Sequence, residues 1–264
     1  MQSGLNLGAD FLGGLSTKSV EPAYTIRLSS GASATTVYGK ETANRGEAGP
    51  PQMNLPLTFP LQKPEQCLAC PYNLIGQGFV PDHVPSNPRL AFLAEAAGET
   101  EMMDRGPLLG ATGRMFFHQL LHPVGLTRED VILANVLRCH PPENVMPIGQ
   151  LRKDAEKMCR MYDKLHQIKH DDSVGLVDGG LHSYSPDYFL ITVHPSFVNR
   201  TWSILRVAQE DIKKSLRLAE GRRLLVLLGD TPMKLVCSDL EGGVLKWRGH
   251  HGVLDWKKFQ ERFK

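Results

Sequence analysis

A chain of 264 residues with 41% hydrophobic content allows one large or two small domains and a sizeable buried core, which excludes a disordered or fibrous class. A net charge of +2 permits nucleic acid without demanding it, because phosphate contact needs a local basic stripe rather than a high total. No basic stretch leading into a continuous apolar one opens the chain, and the longest clean aliphatic run, Leu224 to Leu228, is far too short to cross a bilayer; a soluble, cytoplasmic protein without a membrane partner is expected.

Residues 1 to 60 carry small, polar, turn-prone stretches such as SSGASATT and TANRGEAGPP, so a flexible or loosely packed leader is expected there. From residue 61 to 264 apolar runs alternate with helical patterns, which predicts one domain. Four runs read as strands: Leu90 to Ala94, Val131 to Val136, Tyr188 to Val193 and Leu224 to Leu228. Leu151, Ala155, Met158, Tyr162 and Leu165 recur at spacings of three and four, as do Leu205, Ala208, Ile212, Leu216 and Ala219, so each set marks the apolar stripe of a helix. This alternation predicts an α/β fold, a three-layer αβα sandwich with a mainly parallel central sheet.

Glu95, Asn135, His194 and Gly229 each fall at or just after the C-terminal end of a predicted strand. A parallel sheet would bring all four to one edge, where such folds bind ligands. The cysteines form a second pattern. Cys67 and Cys70 make a CxxC pair, Cys139 sits in Arg-Cys-His-Pro-Pro, Cys159 lies on the helix that follows, and Cys237 is left over beside Leu235 and Val236. Five cysteines in a chain read as intracellular argue for metal binding, redox work or burial rather than a disulfide framework. Spacing alone leaves zinc and an iron-sulfur cluster equally open. Cys237 reads as core.

Three stretches carry a family resemblance. Glu95-Ala96-Ala97-Gly98-Glu99-Thr100-Glu101 followed by Gly106-Pro107-Leu108-Leu109-Gly110-Ala111-Thr112-Gly113 resembles the first motif, GEAPGxxED then GRPFVGxAG, of the iron-sulfur (family 4) uracil-DNA glycosylases. Asn135-Val136-Leu137-Arg138-Cys139-His140-Pro141-Pro142-Glu143-Asn144 is similar to that family's NVVKCRPPxN, and His194-Pro195-Ser196 to its HPS. The resemblance implies a DNA glycosylase that hydrolyses the N-glycosidic bond of uracil or a 5-substituted pyrimidine. It also implies a 4Fe-4S cluster on Cys67, Cys70, Cys139 and Cys159, acting as a staple, with zinc as the alternative metal.

Site roles follow from the same motif positions. His194 would donate to the pyrimidine O2 as negative charge builds there, and Glu95 would orient water or favour the cationic sugar. Asn135 would read the pyrimidine edge with its amide, Glu101 would lie near C5, and Asn144 is the second motif asparagine. No lysine stands at a motif position to form a Schiff base, so a monofunctional enzyme is implied. The DNA would be single-stranded or have its base flipped out, held by Arg114, Arg200 and Arg248, with a phosphate at the amides of Gly110 and Gly113. A monomer is expected.

The chain departs from the motifs at informative places. Leu108 stands where the family has a stacking phenylalanine, Ala97 replaces its proline and Ala94 its glycine. Leu228-Gly229 and Arg248-Gly249 follow the HPS motif rather than preceding it. The resemblance with these changes implies a divergent member, of a phage type that would act in host cytoplasm. They keep two alternatives in play, a non-catalytic reader of modified nucleic acid and a transferase acting on hypermodified thymine.

Overall fold

The computed structural model describes Lys63, residues 65–165 and residues 180–263. The leader expected over residues 1–60 lies outside the described residues. The chain divides into two units, Met1–Asn54 and Leu55–Lys264, and every described residue belongs to the second.

Within that unit the elements run β1 (Leu90–Ala96), α1 (Glu99–Asp104), α2 (Gly110–Met115), β2 (Val131–Leu137), α3 (Gly149–Leu165), α4 (Gly180–Tyr184), β3 (Tyr188–Thr192), α5 (Pro195–Arg200), α6 (Leu205–Leu218), β4 (Leu224–Leu228), α7 (Asp230–Val236), α8 (Val244–Trp247), β5 (His251–Val253) and α9 (Trp256–Glu261). A π-helical turn, Phe116–Leu121, continues α2. All four predicted strands form. β1 extends two residues past its apolar run because Ala96 still pairs with Leu137. β3 ends at Thr192, one residue short of the expectation, where the chain turns into the His194-Pro195 start of α5.

The strands assemble in the order β2-β1-β4-β3-β5. The first four are mutually parallel, while β5 joins antiparallel to β3. β4 enters late in the chain yet inserts between β1 and β3, so the strand ending in Leu228-Gly229 takes a central position despite following the HPS motif. β5 was not expected from the sequence.

Alternation along each strand sorts side chains to two helical layers, as a strand period of two requires. Leu90, Phe92 and Ala94 of β1 meet Met115, Phe116, Ala208 and Ile212 on one face. Ala91 and Leu93 meet Leu181, Met233, Trp256 and Phe259 on the other. Both faces are covered, which is why β1 and β4 are wholly apolar from Leu90 to Ala94 and from Leu224 to Leu228. The result is the expected three-layer αβα sandwich. Cys237 is 6% exposed in the second layer, in keeping with its reading as core.

Candidate active site

The C-terminal edge of the parallel sheet opens into a cleft of about 630 Å³. Glu95, Glu101, Leu108, Asn135, Asn144, His194 and Arg200 all line it. Residues from three strand ends, the turn after α1 and the Pro-Pro turn therefore converge, although they are spread over more than a hundred positions. A neighbouring cleft of about 380 Å³ shares Glu95, His194, Ser196 and Arg200 and adds Lys246 and Leu245 from α8.

Asn135 sits near the C-terminal end of its strand, as the sequence suggested. It lies inside β2, opposite Ala94 of β1, and β2 continues to Leu137. Its backbone carbonyl accepts a hydrogen bond of 2.7 Å from the buried Arg160 guanidinium, which fixes the main chain beneath it. The side chain is 2% exposed, and its Nδ2 finds no hydrogen-bond partner among the described residues. A buried amide donor left in this state costs about 1–3 kcal/mol of folding free energy.

His194 follows β3 and caps α5. The backbone N–H of Ser196 donates to its Nδ1 at 3.2 Å, and the Ser196 hydroxyl lies 2.7 Å from the same nitrogen. An N–H can only donate, so Nδ1 is the acceptor and the neutral ring carries its proton on Nε2. Burial, reinforced by the positive charge of Arg200, lowers the pKa from 6.5 to about 4. The imidazole is therefore a neutral donor at physiological pH. Gly229 makes this placement feasible. At φ 95 it lies where a side chain is strained, and a Cβ there would come within 3.1 Å of the His194 Cβ.

Glu95 lines both clefts. Its Oε1 accepts a hydrogen bond from the Thr231 hydroxyl on α7, a buried partner that sequence reasoning missed. Glu101 is committed differently. It is 8% exposed, and its Oε2 accepts from the Gly98 N–H at 2.6 Å, with further donation from the N–H groups of Leu108 and Leu109. Burial pushes its pKa above the ordinary carboxylate value against the pull of those donors. Its carboxylate thus staples the loop that forms one wall of the cleft.

Leu108 is 3% exposed, adopts φ 52 and packs into the apolar layer with Met115 and Phe116. The cleft has an aliphatic wall here. Asn144 is exposed at the rim, in a left-handed conformation with φ 58, as asparagine in a tight turn tolerates.

The three arginines expected on DNA separate. Arg200 is exposed and lines both clefts. Arg114 is exposed on α2 outside the lining of either. Arg248 is engaged within the fold: its guanidinium bonds Asp211 at 2.7 Å, and Asp211, 4% exposed, also accepts from Thr192 at 2.7 Å. Arg248 therefore anchors the α8 loop to β3 and α6. The amide of Gly113 is likewise taken, bonding to the Leu109 carbonyl within α2, so it is not open to a phosphate.

The four cysteines expected as ligands gather beside this edge. Cys70, Cys139 and Cys159 pack around Tyr72, Leu137 and Ala155. Cys67 interacts electrostatically with Cys70 and Cys159, and Cys139 with all three others. Burial and mutual repulsion push Cys67 up to about 11 and Cys139 up to about 12. A Cβ on Gly76 would fall 2.4 Å from the Cys139 Sγ, so the loop after the CxxC pair presses directly on that sulfur. Arg138 donates to the Cys159 carbonyl at 2.6 Å and forms a two-pronged pair with Asp82 at 2.7 and 3.0 Å. No three His, Cys, Asp or Glu side chains among the described residues close on one point as a single ion requires. Among those residues no helix is long and apolar enough to cross a membrane.

Comparison with known proteins agrees with this geometry. A family model for the uracil DNA glycosylase superfamily matches residues 81–213, half of the chain, and spans Glu95, Asn135 and His194. The chain is 29% identical over 175 residues to a type-4 uracil-DNA glycosylase of Thermotoga maritima, an alignment covering 58% of this chain and 90% of that protein. Shorter alignments join it to type-4 uracil-DNA glycosylases of Saccharolobus solfataricus, 32% identical over 82 residues, and Archaeoglobus fulgidus, 35% identical over 81 residues. Each covers 31% of this chain, and they span 38% and 40% of those relatives. With the matched segment carrying three strands of the sheet and the polar groups of the cleft, the chain belongs to the uracil DNA glycosylase superfamily.

Proposed function

We propose that the protein is a monofunctional DNA glycosylase that hydrolyses the N-glycosidic bond of uracil or a 5-substituted uracil extruded into the 630 Å³ cleft. The observation that carries this reading is the unpaired, buried Nδ2 of Asn135, which shares the cleft with a histidine held neutral. A uracil edge offers a carbonyl acceptor beside a ring N–H, and one planar amide satisfies both. Cytosine presents an amino donor where uracil has that acceptor, so an amide held in the orientation that suits uracil mismatches it.

As the glycosidic bond lengthens, the sugar becomes cationic and the departing base anionic. The Nε2–H of His194 serves the anion without a proton transfer, since a neutral imidazole already donates in the required direction. Glu95 serves the other charge, through its carboxylate or a water that it orients. Arg200 at the cleft mouth suits a flanking phosphate, and DNA is the partner. The substrate strand is single or has its base flipped, since a stacked base lies out of reach.

The four cysteines suit an iron-sulfur cluster by donor type, and their shared neighbourhood around Tyr72, Leu137 and Ala155 supports the reading. When bound, the cluster supplies a thiolate-ligated brace between the CxxC turn and the Pro-Pro turn, and base release needs no electron from it. Zinc on the same thiols is the competing assignment; iron content separates the two.

Incubating the full chain with oligonucleotides carrying uracil or 5-hydroxymethyluracil, followed by alkali, should cleave the strand at that base. Intact strands across the panel would reject the reading. Leu108 favours a second one, because an aliphatic wall lacks the roughly 1–3 kcal/mol that ring stacking contributes to base binding. A reader of modified bases would show saturable binding with no free base. A transferase would show a mass change on DNA with the glycosidic bond intact.

A further inference from the structure

Thr231 lies in α7 just after β4 and is 4% exposed. A threonine hydroxyl within a helix commonly bonds the carbonyl one turn back. This one donates instead to Glu95 Oε1, across 136 positions of sequence. The contact is built into the sheet: β1 and β4 are neighbours, with Leu93 opposite Leu227, so the end of β1 and the start of α7 are held side by side. Glu95 is part of both cleft walls, and Thr231 of neither.

A carboxylate's terminal torsion is broad and two-fold, so an unanchored glutamate samples many orientations at little cost. Bonding one oxygen removes that freedom and decides which oxygen is left for a ligand. We infer that Thr231 is a positioning residue for the glycosylase reaction: its hydroxyl holds Glu95 by Oε1 and leaves Oε2 for the sugar or the attacking water. This rests on the reading of Glu95 as the carboxylate that serves the cationic sugar. Thr231 also lies beyond the segment matched by the family model, which ends at residue 213.

The test uses the full chain and single-stranded oligonucleotides carrying one uracil or 5-hydroxymethyluracil. Single-turnover rates at varied concentration are compared for Thr231→Val, Thr231→Ser, Glu95→Gln and the Thr231→Val/Glu95→Gln double variant. Thr231→Val should lower the rate about tenfold to a hundredfold with KM within about threefold, since misorientation by an ångström is enough for such a loss. Thr231→Ser should stay within about threefold of the parent, and Thr231→Val should add less than about twofold to Glu95→Gln. A merely structural hydroxyl would lower the melting temperature and penalise both backgrounds alike, which overturns the inference. So does a parental rate for Thr231→Val when Glu95→Gln is impaired. A parental rate for Glu95→Gln overturns the reading of Glu95 itself, and Thr231 falls with it. Should Thr231→Val not fold, Thr231→Ala with a melting curve carries the same comparison.

Discussion

The backbone N–H of Ser196 points at the Nδ1 of His194, 3.2 Å away, and so decides which face of the imidazole carries a proton. The expected consequence is a neutral Nε2–H tautomer that titrates at about 4 rather than near 6.5. Nitrogen and proton NMR of the labelled ring checks both. Between pH 4 and 6.5 the unfolded chain holds a proton on this ring and the folded chain does not. Stability from this group is therefore complete above pH 6.5 and is lost as pH falls toward 4. A folded-state ring still protonated at physiological pH, or one carrying its single proton on Nδ1, would remove the neutral-donor mechanism.

Asn135 gives a test in which stability and activity move in opposite directions. Its buried Nδ2 is unpaired, so Asn135→Leu, with the same branching and number of heavy atoms, removes an unsatisfied donor. We expect folding stability to rise by about 1 kcal/mol while base release falls at least about a hundredfold. Denaturant melts and the alkali assay measure the two. A loss of stability would mean that the amide is a structural cap rather than a group reserved for ligand.

Gly229 should behave as a mechanical support for His194. Gly229→Ala places a Cβ within 3.1 Å of the His194 Cβ at a backbone angle that disfavours any side chain. Turnover is expected to drop about tenfold to a hundredfold with DNA affinity nearly unchanged, because the donor moves while the phosphate contacts do not. An equal loss in binding and turnover would argue against this division of labour.

What the sequence disclosed depended on whether a residue's partner was local. Leu90 to Ala94 and Leu224 to Leu228 announce buried parallel strands because both of their faces are covered, so the apolar run is itself the signal. His251–Val253 gave none: it pairs on one side only, and His251 and Val253 are exposed. Arg248 looks like any basic residue near a glycine, and only the fold reveals Asp211 as its partner. Thr231 carries no motif, and its partner is 136 positions away. Glu101 matches a family position, yet the backbone amides that occupy its carboxylate are a property of the folded turn.

Metal removal should separate the brace from the chemistry. Protein purified without oxygen is expected to be brown and to carry iron; Cys139→Ser should lose the iron, and chelation under oxidising conditions should lower the melting temperature. The cleft residues other than Pro141, Asn144 and Met146 do not lie on the turns the cluster would tie, so turnover should fail through unfolding rather than ahead of it. Colourless protein containing one zinc per chain would settle the metal the other way.

The Arg138–Asp82 pair ties the strand framework to the chain around the cysteines through a buried charged contact. Arg138 is 1% exposed, holds both Asp82 oxygens at 2.7 and 3.0 Å, and donates to the Cys159 carbonyl at 2.6 Å. Asp82→Ala takes two charge-assisted hydrogen bonds from a buried guanidinium, so it should cost about 3–5 kcal/mol, roughly 10 °C or more in melting temperature for a unit of this size. Replacing Arg138 by Met as well removes the buried charge, and the double variant should recover part of that loss. Because neither residue lines the cleft, whatever protein remains folded should release base at the parental rate per molecule. A single variant as stable as the parent would show that the guanidinium is held by its other contacts. A double variant less stable than Asp82→Ala would show that Arg138 matters chiefly for the chain around Cys159.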